Sequence, residues 1–290
     1  MQWMRDHNHL IEILSAELRR LIPDLVVIEE VADKLTFPHS DGEYYLSECE
    51  ILLDMGDRVI AVTFLDNCSK LTQLIRDRNN PNDRLIYSQP DNLWPEIAEK
   101  SIRGVYTSQY PFLDLEGFYQ LRNARTSFID RLFFRGNYTG AGRGSVPILM
   151  QPEYNDVFAG GGGVDTHPYF FEAIQYKAGL SIPGVGELCY RDFEYMRIGL
   201  PMLRFDYEIP LNPWFLPNQH YISIPRLPDM TWVQEREGGQ RMVDAYIQRF
   251  NEVKDDTEFL AMISRNAKEY YETYYSMRVR VPRMLTLMGL

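Results

Sequence analysis

Residues 176–205 read as one strand–loop–helix–strand unit, and that unit narrows the fold more than any other stretch of the chain. Tyr176 to Ser181 is a short, mostly apolar run of strand length. Pro183-Gly184-Val185-Gly186 interrupts it, and Glu187 to Arg197 has the length and composition of a helix. Gly199 closes that helix, and Pro201 to Phe205 is apolar again. Two short apolar runs joined by a helix form a βαβ crossover. Such a crossover requires a parallel sheet with helices packed over its faces.

The rest of the chain follows the same alternation. In the first half the spacing predicts a helix over 8–21, with Leu10, Ile11, Leu14, Leu18 and Leu21 on one face and Pro23 as its stop. Strands are predicted at Asp24 to Ile28, Arg58 to Phe64 and Arg84 to Ser88. Helices are predicted at about Glu43 to Met55, Ser69 to Arg78 and Trp94 to Arg103. A second half opens with a strand at Arg131 to Gly136 and closes with two helices from about Asp229. The second of these carries Leu260, Ile263, Ala267, Tyr271 and Tyr274 at helical spacing. The expectation is an α/β protein of two Rossmann-like domains, residues 1–125 and 126–290.

Charge and cysteine content exclude several classes. The 290 residues carry a formal charge of −11 with no block of basic residues, which argues against a nucleic-acid or anionic-membrane surface. The three cysteines, Cys49, Cys68 and Cys189, lie far apart and form no C-x-x-C pair, the pattern of reduced thiols. No apolar run reaches the roughly 18 residues of a membrane span, and polar residues interrupt the N-terminus throughout. A soluble, cytoplasmic chain is expected, or a domain cut from something larger.

Two loops hold residues with binding chemistry. Phe134 to Ser145 follows an apolar strand and combines Arg135, Gly136, Thr139 and Arg143, so backbone amides and guanidinium groups are available to phosphate oxygens. It is not a Walker loop, because no Lys-Ser/Thr follows, and Ser145 breaks the dinucleotide glycine pattern. An ordinary solvated loop is the competing reading. In the second loop, Gly186 leads into a helix whose first turns contain Glu187, Tyr190, Arg191 and Glu194. A diphosphate there gains the helix dipole and Arg191, and Glu194 is spaced to accept from ribose hydroxyls. The competing reading is a helix cap with a surface Arg–Glu pair.

Asp41, in the polar loop ahead of the Glu43 helix, is the candidate general base, with Asp33 and Asp66 as rivals; simple helix capping by Asp41 or Ser40 is the alternative. No D-x-D pair is present to hold a metal with a diphosphate. His7 and His9 lack further ligands, and there is neither a G-x-S-x-G elbow nor a C-x-x-C motif, so no metal site is expected.

FFRGNYTGAGR (133–143), YKAGLSIPGVGELCYRDFEYMRIGLPMLRF (176–205) and LPNQHYISI (216–224) together resemble one family. It is the glycosyltransferase family that includes protein O-glucosyltransferases and capsule-associated xylosyltransferases. The resemblance implies the GT-B fold: two Rossmann-like domains with a cleft between them and C-terminal helices. It also implies a UDP-sugar donor, inversion at the anomeric carbon and no metal cofactor. Carried over, Arg135, Thr139 and Arg143 match the family's first loop, Arg191 its second-loop arginine, and Asp41 its base. Tyr138 departs from the pattern, standing where an arginine is common. The secretory signal and disulfides of the family's animal members are not seen, which a compact cytosolic version such as a viral or bacterial xylosyltransferase would fit; xylose is the first expectation for the sugar and glucose the next, passed to a glycan or protein hydroxyl. The alternatives are a nucleotide-dependent oxidoreductase and a catalytically silent carbohydrate- or partner-binding module.

Overall fold

The computed structural model describes residues 26–28, 50–54, 59–63, 76–77, 79–87, 101–103, 115–136, 143–184, 187–208, 215–276, 279, 282 and 286. The chain divides into two compact units, Met1–Phe112 together with Ser276–Leu290, and Leu113–Tyr275. Each has its own five-stranded sheet, and the protein is α/β. No helix among the described residues is long and apolar enough to cross a membrane.

In the first unit the strands are β1 (Val26–Ile28), β2 (Glu50–Asp54), β3 (Val59–Thr63), β4 (Arg84–Tyr87) and β5 (Ser101–Arg103), in that spatial order. β3, β4 and β5 run parallel, while β1–β2 and β2–β3 are antiparallel. Two sequence expectations are corrected here. Glu50–Asp54 is a strand and not the end of a Glu43 to Met55 helix. Ser101–Arg103 is a strand and not the last turn of a Trp94 to Arg103 helix. The run Ile51-Leu52-Leu53 is too short for its period to separate the two states. The decisive feature is its neighbour: Asp54 pairs with Val59, so Glu50–Asp54 lies antiparallel to Val59–Thr63 as an adjacent strand.

The second unit positions the candidate site. Its strands are β6 (Ile129–Arg135), β7 (Phe158–Gly161), β8 (Tyr176–Leu180), β9 (Met202–Phe205) and β10 (Ile222–Ile224). They lie in the order β10-β9-β8-β6-β7, and every pairing is parallel. Its helices are α1 (Glu116–Asn123), α2 (Ser145–Leu149), α3 (Thr166–Ala173), α4 (Tyr190–Ile198), α5 (Trp232–Glu237), α6 (Gln240–Val253) and α7 (Thr257–Tyr274). Sequence periodicity anticipated two helices in the tail; Gly238 and Gly239, both at positive φ, split off α5 and make three.

Side chains alternate across β6, so both sheet faces must be covered. Leu132 and Phe134 belong to one core with Val146 and Leu149 of α2 and with Met242, Val243, Tyr246 and Phe250 of α6. Phe133 meets Tyr169 of α3 at 5.9 Å between ring centroids and accepts, through its carbonyl, from the hydroxyl of Tyr195 on α4. Full burial of a side chain such as Phe250 stabilises the fold by roughly 1.5–3 kcal/mol. α4 ends at Gly199, whose φ of 64° and left-handed conformation let the next amides return to the Met196 and Tyr195 carbonyls.

Candidate functional site

Strand order locates the site. From β6, the chain moves outward to β7 on one side and then crosses to β8, β9 and β10 on the other. The reversal falls between β6 and β8, and the helices that follow the two strands diverge there. In open parallel sheets that crevice, at the carboxyl ends of the strands, is where ligands bind. The segments leaving those ends are the two loops singled out in the sequence.

The guanidinium groups of two arginines, Arg143 and Arg191, meet at this point, beside the backbone of a third, Arg135. Arg191, in the first turn of α4, donates Nη2 to the carbonyl of Arg135 at the end of β6. Its guanidinium carbon lies 4.2 Å from the centroid of the Phe134 ring, and that of Arg143 lies 5.6 Å from the same ring. Arg143 donates Nε to the Pro183 carbonyl beyond β8, at 3.3 Å. Burial, and then the neighbouring Arg191 cation, hold the Arg143 guanidinium below the usual arginine range. Gly136 makes this convergence possible, since a Cβ there would stand 2.3 Å from Nη2 of Arg191 and 3.2 Å from Nη1 of Arg143.

Arg191 is only 8% exposed, yet Nε and Nη1 have no hydrogen-bond partner. A buried donor left unpaired costs about 1–3 kcal/mol, and more when charged, so this arrangement calls for an acceptor. Glu194, one turn further along α4, shows the complementary feature. Its Oε2 accepts from the Tyr169 hydroxyl at 3.2 Å, while Oε1 is buried without a partner. Burial pushes its carboxyl up to about 7, against the opposing pull of Arg191.

A second set of contacts fixes α4 in place. Asp192, fully buried, accepts from the amide of Cys189 at 3.1 Å and from the Ser181 hydroxyl beyond β8, and it pairs with Arg204 of β9 at 2.8 Å. The first turn of the helix is therefore tied to the two strands beneath it. Cys189 occupies the N-cap, and burial pushes its thiol up to about 11, which keeps it protonated and unreactive.

The other sequence candidates are distributed as follows. Arg135 sends its guanidinium to Glu172 on α3 in a two-bond ion pair of 2.9 and 3.0 Å, and contributes its carbonyl to Arg191. Glu187 is buried and turned toward β9 and β10, where it accepts from Arg226 at 3.1 Å and from the amide of Glu208. Tyr190 opens α4 and is half-buried. Thr139, Gly186, Asp41, Asp33 and Asp66 lie outside the described residues. Sequence reasoning missed the Asp192–Arg204 pair and Tyr169; only Asp192, three residues past the N-cap, carried a local cue. Among the described residues no group of His, Cys, Asp or Glu is placed to hold a metal ion. The buried donors of Arg191 can serve the oxygens of an anion, and the buried Oε1 of Glu194 can accept from a hydroxyl.

No protein-family model matches the chain, and no curated protein matches its sequence.

Proposed function

We propose that the chain is an inverting, metal-independent glycosyltransferase of the GT-B type, which moves a sugar from a UDP-sugar to an acceptor hydroxyl on a glycan or protein. The observation that carries this reading is Arg191, a buried arginine with two unpartnered nitrogens at the β6/β8 switch point. Arg143 and the amides of the α4 N-terminus stand beside it. These groups suit a diphosphate, and Glu194 suits the ribose hydroxyls.

In the reaction, Asp41 takes the proton of the acceptor hydroxyl, whose oxygen attacks the anomeric carbon from the face opposite the diphosphate. The bond from that carbon to the diphosphate oxygen breaks, and its electron pair leaves with UDP. Arg143 and Arg191 stabilise the charge that develops on the leaving group. Arg135, engaged by Glu172, acts by positioning Arg191 through its carbonyl. Xylose is the first choice of sugar and glucose the second. One hydroxymethyl group separates them, so the shape of the pocket decides.

The same sheet order also accommodates redox nucleotides at its switch point, so a nucleotide-dependent oxidoreductase is the second reading. A thermal-shift titration with UDP, UDP-xylose, UDP-glucose, GDP-fucose and NAD, with and without EDTA, separates the two. A ligand at 100 times its Kd stabilises a fold by about 2.7 kcal/mol. Stabilisation by UDP and one UDP-sugar, indifferent to EDTA, supports the transferase and names its donor. Stabilisation by NAD alone overturns it, and silence with every nucleotide favours a binding module.

A further inference from the structure

A cavity of about 240 Å³ opens in the second unit at the edge of the sheet away from the switch point. Its wall begins where the parallel strands begin: Phe128 directly precedes β6, Lys177 is the second residue of β8, and Pro201 directly precedes β9. Leu260 and Ala261 of α7 line it as well. The crevice that holds Arg143 and Arg191 lies at the carboxyl ends of the same strands. The five residues of β8 put roughly 15 Å between the two places.

The charge of this cavity runs against that of the chain. The protein carries a formal charge of −11, yet every ionisable residue lining the cavity is a cation: Arg122, Arg125, Lys177 and Lys254. Lys177 pairs with Asp130 and Asp255, both at 3.3 Å, and Lys254 reaches the same Asp130 at 3.8 Å. Arg122 gives its donors to four backbone carbonyls, which carry no formal charge. Arg125 is exposed and has no ion pair among the described residues. Two carboxylates therefore face four cations. Burial, and then the Arg125 cation, push the Arg122 guanidinium down to about 9, so the two arginines are close enough to repel. The remaining wall is apolar: Phe128, which lies over the Arg122 guanidinium at 4.4 Å, with Pro201, Leu260 and Ala261.

We propose that this cavity is a binding site for a small aromatic carboxylate, its ring set against Phe128, Pro201 and Leu260 and its charge offered to Arg125, Lys177 and Lys254. The site is separate from the nucleotide crevice and does not depend on the nucleotide reading. Volume sets the size of the occupant. An apolar cavity of about 150 Å³ holds benzene, so one of about 240 Å³ has room for a ring with a short carboxylate arm. Charge sets its sign, because an anion offsets the excess of cations that the protein leaves uncompensated.

Ligand-observed NMR titration of the full chain with phenylacetate, phenylacetamide and acetate separates the two contributions. Phenylacetate should bind saturably with a Kd of about 1 mM or tighter, at least about tenfold tighter than the neutral amide or the ringless acetate. Arg125→Glu reverses the charge at an exposed position, and Ala261→Trp fills the cavity from an exposed position of α7. Each should weaken phenylacetate at least about tenfold, with melting temperatures recorded to verify folding. Arg191→Gln, at the far ends of the strands, should leave its affinity within about twofold. No saturable phenylacetate binding below about 10 mM overturns the proposal. Equal affinity for phenylacetamide or for acetate also overturns it, by removing charge or ring from the recognition. Full affinity in a folded Arg125→Glu or Ala261→Trp chain, or its loss in Arg191→Gln, places the ligand elsewhere and overturns it too.

Discussion

Substituting Asp192 by asparagine should destabilise the second unit by about 3 kcal/mol, because it removes the carboxylate paired with the buried cation of Arg204 and leaves only the more distant Glu235 and Glu187 charges to offset it. Both side chains are fully buried, and their atoms approach to 2.8 Å. Asparagine matches the size of aspartate but offers one acceptor oxygen to three donors: Arg204, the Cys189 amide and the Ser181 hydroxyl. Its amide group must also face one of them as a second donor. The other acceptor of Arg204 is the Phe205 carbonyl, at 3.0 Å, which carries no formal charge. With a urea m-value of about 2 kcal/mol/M, the midpoint should fall by roughly 1.5 M. Urea unfolding followed by circular dichroism and by tryptophan emission, with Trp232 reporting from this unit, measures it. A double-mutant cycle adds a control. Arg204→Met alone strands the carboxylate, whereas the Asp192→Asn/Arg204→Met pair strands no charge and should cost clearly less than the sum of the singles. Additive losses, or a loss under about 1 kcal/mol for Asp192→Asn, would refute the argument that this pair clamps α4.

The carboxyl of Glu194 is raised to about 7 mainly by burial, so the folded state holds a proton that the unfolded chain has already released near pH 5 to 7. Its stabilising contribution is complete below about pH 4 and is lost as pH rises through 7; Glu194→Gln should flatten the fall in melting temperature between pH 5 and pH 8. Gly136→Ala puts a methyl group against the Arg191 guanidinium and should weaken UDP binding about tenfold by calorimetry while shifting the melting temperature little. Arg122, buried at 4% exposure, donates to the carbonyls of Gly199, Ile174, Tyr176 and Lys177. Arg122→Met removes this donor from the Ile174, Tyr176 and Lys177 carbonyls, while Gly199 keeps the Ser264 hydroxyl, and should cost about 3 kcal/mol in urea unfolding.

Much of the second unit was legible because its signals are local. β6, β8, α4 and β9 are each a short apolar or helical run bounded on at least one side by a nearby glycine or proline, and Gly199 marks the end of α4 at its residue. The first unit misled at a three-residue apolar run: Ile51-Leu52-Leu53 fits a helix until its partner Val59–Thr63 is taken into account. β7 went unseen for a different reason. Phe158-Ala159-Gly160-Gly161 has the composition of a loop and becomes a strand by pairing with β6.

The site divides along the same line. Arg143 and Arg191 could be named from the sequence because each sits in a glycine loop beside a strand. That they meet over one phenylalanine ring depends on β8 lying next to β6, although β7 intervenes in the chain, and strand order is a long-range property with no local code. The same ordering explains why the polar candidates separated. Glu187 leaves β8 on the side of β9 and finds Arg226, whereas Arg191, one turn into α4, faces back across β6. Residues four apart in sequence therefore serve different ends, one in a buried ion-pair network and the other with two buried donors free of protein partners. Arg191, in the first turn of α4 and bonded to the end of β6, keeps two buried donors without a protein partner, which costs about 1–3 kcal/mol each. An anion that supplies the missing oxygens recovers that free energy on binding, so tight and specific binding is the expected return for the strain of an unpaired cation.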